Sequence, residues 1–163
     1  MNSKDKDHSG MKKGMYTKFI ITLVLSFIAM YITMYMNTYQ WDHVWFSLTR
    51  FYMAILGICA MAVIMLTMML GMYKNRKKNI AIYVGSLAIF LSSLGLVRAQ
   101  TPVDDILWMK AMIPHHSIAI LASKRANITD PEAQKLAKEI IEAQEREIAE
   151  MKKIIYRLEN KDE

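Results

Sequence analysis

Three stretches without a single charge dictate most of what this chain can fold into. Residues 19–36, 51–73 and 80–97 are continuous apolar runs. Each, wound as a helix, is long enough to cross a hydrocarbon layer of about 30 Å. In lipid a chain must satisfy its own backbone hydrogen bonds, so these runs are expected as transmembrane helices. The first run has neither the short apolar core nor the Ala-x-Ala-like cleavage site of a signal peptide, so it reads as a retained span. With 163 residues, the expected architecture is all-α. Residues 1–98 form a membrane domain with spans near 19–36, 51–73 and 80–97, and residues 99–163 form an exported helical hairpin.

Charge sets the expected orientation. Met1–Arg98 carries 11 basic and 3 acidic residues, and the remainder carries 10 basic and 12 acidic. The basic excess sits beside the spans, so it marks membrane topology rather than nucleic-acid binding. Lys74, Arg76, Lys77 and Lys78 crowd one short loop, and five lysines lie in residues 1–18, whereas Arg50 is the one basic residue of 37–50. The positive-inside rule then puts the N terminus and the 74–79 loop in the cytoplasm, and everything after Arg98 outside it. The expected location is a bacterial inner membrane with a periplasmic or extracellular C-terminal domain. His8 in the basic tail reads as solvated.

The segment 37–50 spaces Trp41, Val44, Trp45 and Leu48 as a helical turn at the membrane interface or an extension of the second span. His43, beside Asp42, reads either as an extra metal ligand or as a solvated loop histidine. In the second span Met61, Met65, Met68 and Met72 share one face. Packing explains that stripe better than a metal path, because the span holds no His or acidic partner. Gly57 and Ala60 permit close helix contact. Cys59 is the lone cysteine, which excludes a disulfide framework and a Cys-x-x-Cys site.

Beyond the third span, Thr101 is the expected N-cap, with Pro102 first in the helix and Asp104 at its third position. That helix should run to about Ala126, interrupted at Pro114. Asn127–Asp130 is a turn, Asp130 caps, and Pro131 opens a second helix reaching about Glu159. Its apolar seam, Ala137, Ile141, Gln144, Ile148, Met151, Ile155 and Leu158, alternates four- and three-residue steps and must pack on another helix. Two helices this short bury little. A homodimer forming a four-helix bundle, or docking on the membrane part, would supply the missing surface.

The chemistry concentrates in Trp108-Met-Lys-Ala-Met-Ile-Pro-His-His116. Asp105, Met109, Met112 and His116 share one helical face, and His115 points about 100° away. Thioether with imidazole is a soft-to-borderline set that suits Cu(I), and by the same softness Ag(I), rather than Zn, Mg or Ca. The residues alone leave two readings open, metal ligands or apolar core with satisfied histidines. With the turn near Thr129, Met109 should lie level with Ile148 and His116 with Ile141. Met109, Met112, Glu147 and Met151 then converge, while His116 and Met151 sit on the order of 15 Å apart. That spacing implies two sites, or one completed by a partner subunit.

Asp105-x-x-Trp-Met-x-x-Met-Ile-Pro-His-His116, with Ala119-Ile120, Asp130-Pro-Glu132, Leu136-Ala137, Ile140-Ile141 and Ala143-Gln-x-x-Glu-Ile-x-x-Met151, resembles the bacterial domain-of-unknown-function 305 family over about residues 104–155. The three spans resemble its membrane-anchored subset. The resemblance implies a ferritin-like helical bundle linked to copper binding and resistance. It marks Met109, Met112, His115, His116 and Met151 as ligands, with Asp105, Gln144 and Glu147 in support. Many relatives carry a further Met after the Ala-Ile pair, where this chain reads Leu121-Ala122-Ser123.

The expected function is therefore a membrane-anchored copper-binding protein, non-catalytic, for sequestration or hand-over of Cu(I) outside the cytoplasm. Its expected partners are lipid, a second copy, and a metal-exporting or metal-accepting protein, with no nucleic acid. The alternative is a structural membrane protein whose hairpin docks another subunit without metal. A ferritin-like di-metal oxidase needs Glu-x-x-His pairs, and the chain has none.

Overall fold

The computed structural model describes residues 3–160, with side chains from Gly14 onward; His8 therefore lies outside the described side chains. The described residues form five α-helices and no strand: α1 (Ser3–Thr33), α2 (Leu48–Met68), α3 (Arg76–Ala99), α4 (Asp105–Arg125) and α5 (Pro131–Glu159), with a 3-10 turn at Trp41–His43. The chain is all-α, and three helices are long and apolar enough to span a membrane, at Gly14–Thr33, Leu48–Met68 and Arg76–Ala99.

Each span is displaced from its apolar run by local hydrogen bonding. The first helix ends at Thr33, and turns closed by Met36 N–H to Thr33 and Thr38 N–H to Tyr35 take over. The second starts at Leu48 because the Ser47 hydroxyl accepts from Arg50 N–H at 3.2 Å. The third starts within the basic loop, where the Asn75 side chain accepts from Lys78 N–H at 3.0 Å, an N-cap that satisfies an otherwise orphaned donor.

The chain forms two compact units. One comprises residues 1–32 and 51–100, the other residues 33–50 and 101–163. In the first, Phe19, Ala62, Leu66 and Tyr73 make the core. Asn79 ties it at one end, accepting from the Tyr16 hydroxyl at 2.7 Å and donating to the Tyr73 carbonyl at 2.6 Å. A Cβ on Gly57 would meet Met30 Sδ at 2.9 Å, so this glycine does permit close helix approach. Many large apolar side chains, among them Val24, Leu25, Ile64 and Leu87, remain exposed, as helices surrounded by lipid require.

The second unit is the hairpin of α4 and α5 plus the segment between the first two spans. Its core is Met109, Ile113, Ile120, Ile148, Met151 and Ile155, with Tyr39 and Trp45 packed against it. The residue division at 98/99 therefore misses residues 33–50, which fold with the hairpin. The pattern Trp41, Val44, Trp45, Leu48 is not one helical face: only a single turn forms, Trp41 is 88% exposed, and Trp45 packs inward.

Two local expectations for α4 are corrected. Its N-cap is Asp104, whose carboxylate accepts from Leu107 N–H at 2.7 Å, rather than Thr101. Gln100 adopts a left-handed conformation at the end of α3 (φ 52°), so residues 101–103 are spent on the turn between helices. Pro114 does not interrupt α4; the helix runs continuously past it, with the ring fully buried. α5 starts with Asp130 accepting from Ala133 N–H at 2.8 Å and Pro131 in the first turn.

Candidate metal-binding cavity

Helix α4 presents Met109, Met112 and His116 along one side because they are three and four residues apart. Helix α5 presents Glu147, Met151 and Ile154 by the same rule. Together with Trp108 and Glu150 these side chains line a cavity of about 360 Å³. Met109 and Met151 belong at the same time to the buried core, so the two readings of these thioethers are not exclusive.

The hairpin register differs from Cα counting. His116 Nδ1 lies 3.3 Å from Glu147 Oε2, and Lys110 Nζ reaches Glu159 at 2.6 Å and Lys124 Nζ reaches Glu145 at 2.8 Å. Side chains lean toward the N terminus of their own helix. In an antiparallel pair the two leans add, and each α4 residue meets α5 several positions beyond its Cα level. His116 therefore shares one cavity with Met151. The expected separation into two sites, or a site completed by a partner, does not follow from this geometry.

His116 is the exceptional group. Its Nδ1 is buried and makes no hydrogen bond, since Glu147 is near but out of line. A buried polar atom without a partner is uncommon. Burial pushes the imidazole below its usual value, Glu147 opposes that shift, and His115 adds to it. A neutral imidazole carries a lone pair on one of its two ring nitrogens, and that is the form that binds metal.

The remaining candidates separate. His115 is exposed and outside the cavity lining, as is Asp105. Gln144 does not line the cavity but donates to Glu147 at 3.4 Å, a supporting position. Trp108, Glu150 and Ile154 complete the lining; Trp108 and Glu150 stand one residue before Met109 and Met151, and Glu150 and Ile154 one turn on from Glu147 and Met151, which was the available signal. Among the described residues no three of His, Cys, Asp and Glu gather as a metal site, so any ion held here would depend on thioether sulfur.

His43 is not a solvated loop histidine. It is 6% exposed, and its Nδ1 bonds the Ser117 hydroxyl at 3.0 Å, while Tyr39 N–H donates to the same oxygen at 2.7 Å. Asp42 pairs with Lys152 at 2.6 Å. The segment between the first two spans is thereby fastened to α4 at the residue next to His116, and to α5 beside Met151.

A family described as Domain of unknown function (DUF305) matches residues 93–155, which spans the whole cavity. The chain is also 36% identical over 118 residues to the "Uncharacterized protein L153" of Acanthamoeba polyphaga mimivirus, covering 70% of this chain and 76% of that protein. The chain belongs to the DUF305 family. The viral alignment is longer than everything from Ser93 onward, so the likeness to this DUF305 protein reaches into the apolar helices. No solved structure matches the chain.

Proposed function

We propose that this DUF305 protein is a membrane-anchored, non-catalytic binder of Cu(I), and of Ag(I) by the same softness, that sequesters the ion or hands it to a protein acceptor outside the cytoplasm. One observation carries the reading: three thioethers, Met109, Met112 and Met151, share a cavity with an imidazole whose buried Nδ1 has no hydrogen-bond partner. Thioethers are uncharged, soft and weak toward Zn(II). The donor set therefore favours a monovalent soft cation, with Glu147 beside His116 to balance its charge.

The compartment follows from chain order and charge. Residues 33–50 and 101–163 form one compact unit, and with three spans both segments leave the membrane on the same face. The loop of Lys74, Arg76, Lys77 and Lys78 lies on the opposite face, which the positive-inside rule assigns to the cytoplasm. The membrane in question is then a bacterial cytoplasmic membrane or its equivalent.

The test is competition between the full chain, purified in detergent, and a chromogenic Cu(I) chelator. Replacing Met109 and Met112 together by Leu keeps the packing volume and removes two soft donors. The expected outcome is an affinity loss of at least about tenfold, the usual scale for removing metal-site contacts, with helical circular dichroism unchanged. Equal Cu(I) affinity in parent and variant overturns the proposal and leaves both methionines as core residues.

A further inference from the structure

Lys74, Arg76, Lys77 and Lys78, where α2 passes into α3, are all exposed. Residues 14–32 and 51–100 of this unit contain no Asp or Glu, and residues 1–13 add four lysines against two aspartates. Among the described residues none of Lys74, Arg76 and Lys77 forms an ion pair. A charge that only sets topology needs no fixed geometry, yet this loop is fastened to α1. The Tyr16 hydroxyl donates to Asn79 Oδ1 at 2.7 Å and accepts from Asn75 N–H at 3.2 Å. The Lys78 ammonium lies over the Tyr16 ring, 4.9 Å from its centre. The rings of Tyr16 and Tyr73 stand 5.1 Å apart, and tyrosines at the end of a span mark the headgroup level of a bilayer. The backbone carrying Lys74, Arg76 and Lys77 is thus held at the depth of lipid phosphates, with the charge unanswered.

We propose that this loop is a seat for the phosphate of an anionic lipid headgroup. Arg76 offers a planar fork that matches a phosphodiester, and Lys74 and Lys77 add point charges. Tyr16 is a positioning residue: it carries no charge and acts by holding Asn75 and Asn79 in place. The occupant is a lipid rather than free phosphate, because Leu70, Met72 and Ile80 flank the cations and are 44%, 50% and 51% exposed. Acyl chain covers such side chains, and a soluble phosphate leaves them bare. A lipid held by the folded unit and not by the unfolded chain stabilises the fold. The soft cavity takes no part, so the seat is independent of the copper reading.

The experiment follows the Tm of the full chain in neutral detergent as it is titrated with phosphatidylglycerol or with phosphatidylcholine of the same acyl chains. Phosphatidylglycerol should act at a concentration about tenfold or more lower, since each basic residue near an anionic lipid contributes about fivefold in affinity. Replacing Arg76 and Lys77 together by Gln should abolish that preference while leaving the lipid-free Tm unchanged, because both side chains are exposed. Tyr16→Phe keeps every charge and should weaken the preference by about threefold or more. Equal responses of the parent to the two lipids overturn the proposal and leave the loop a topology signal. A preference that survives Arg76→Gln with Lys77→Gln overturns it by placing the charge effect elsewhere. A preference unchanged in Tyr16→Phe overturns the seat in favour of diffuse attraction. Glycerol 3-phosphate acting at the same concentration as phosphatidylglycerol overturns lipid as the occupant.

Discussion

Ser117 shows how much one small side chain organises. It is completely buried on α4, and its hydroxyl meets both Tyr39 N–H and His43 Nδ1. Ser117→Ala leaves those two groups without a partner, and a buried unsatisfied group costs about 1–3 kcal/mol. The expected result is a lower Tm and faster amide hydrogen exchange at residues 39–43, measured by mass spectrometry; unchanged exchange would show that the ion pair of Asp42 with Lys152 holds the segment unaided. A pH dependence belongs at the same scale. Burial lowers the His43 pKa from an ordinary 6.5, with Lys152 acting the same way and Asp42 and Glu145 opposing. Between 6.5 and the lower folded value the unfolded chain binds the proton more readily, so stability is full above that range and falls as the pH drops through it. Thermal scans of the metal-free protein should therefore show a Tm lower at about pH 5 than at pH 7, and His43→Gln should flatten the difference. The sequence named Met109, Met112, His116, Glu147 and Met151 because helical spacing determines which side chains share a face. It put His115 on a neighbouring face but did not see His43 buried, because burial depends on which neighbour covers each residue.

At the scale of elements, α5 was legible nearly to its ends. Asp130 and Pro131 are strong start signals and the apolar seam is regular. α4 was legible in extent but not in its cap, since Thr101-Pro102 and Asp104 both satisfy the helix-start rules and only the left-handed Gln100 decides between them. A further finding concerns what covers the hairpin. Two helices bury too little alone, and that shortage argued for a second copy or for docking on the membrane part; Tyr39 and Trp45 of the same chain pack against the core and supply part of that surface. A fragment of residues 101–160 should therefore unfold without a cooperative transition by circular dichroism. Joining residues 33–47 to it through a flexible linker should restore one. A cooperative melt of the bare fragment, unchanged by the added segment, would show that the two helices suffice.

For the whole molecule the testable quantity is topology. A reporter active only outside the cytoplasm, fused after Glu163, is expected to be active, and one fused within residues 74–78 inactive. Neutralising Lys74, Arg76, Lys77 and Lys78 together should weaken that bias, since each basic residue near a span end favours the cytoplasmic side. An inactive C-terminal fusion would overturn both the compartment and the hand-over of copper outside the cytoplasm. What the sequence determined by itself was everything governed by local periodicity and hydropathy: three apolar helices, an amphipathic pair after them, and the soft donors aligned on one face of α4. Tertiary structure alone decided the register of α4 on α5, where side chains lean past their own Cα positions. It alone also joined residues 33–50 to a hairpin that begins fifty residues later. Such joining rests on a few buried bonds between distant residues, Ser117 with Tyr39 and His43 and Asp42 with Lys152. A linear pattern does not encode pairings of that kind, because each partner is an ordinary polar residue in its own neighbourhood.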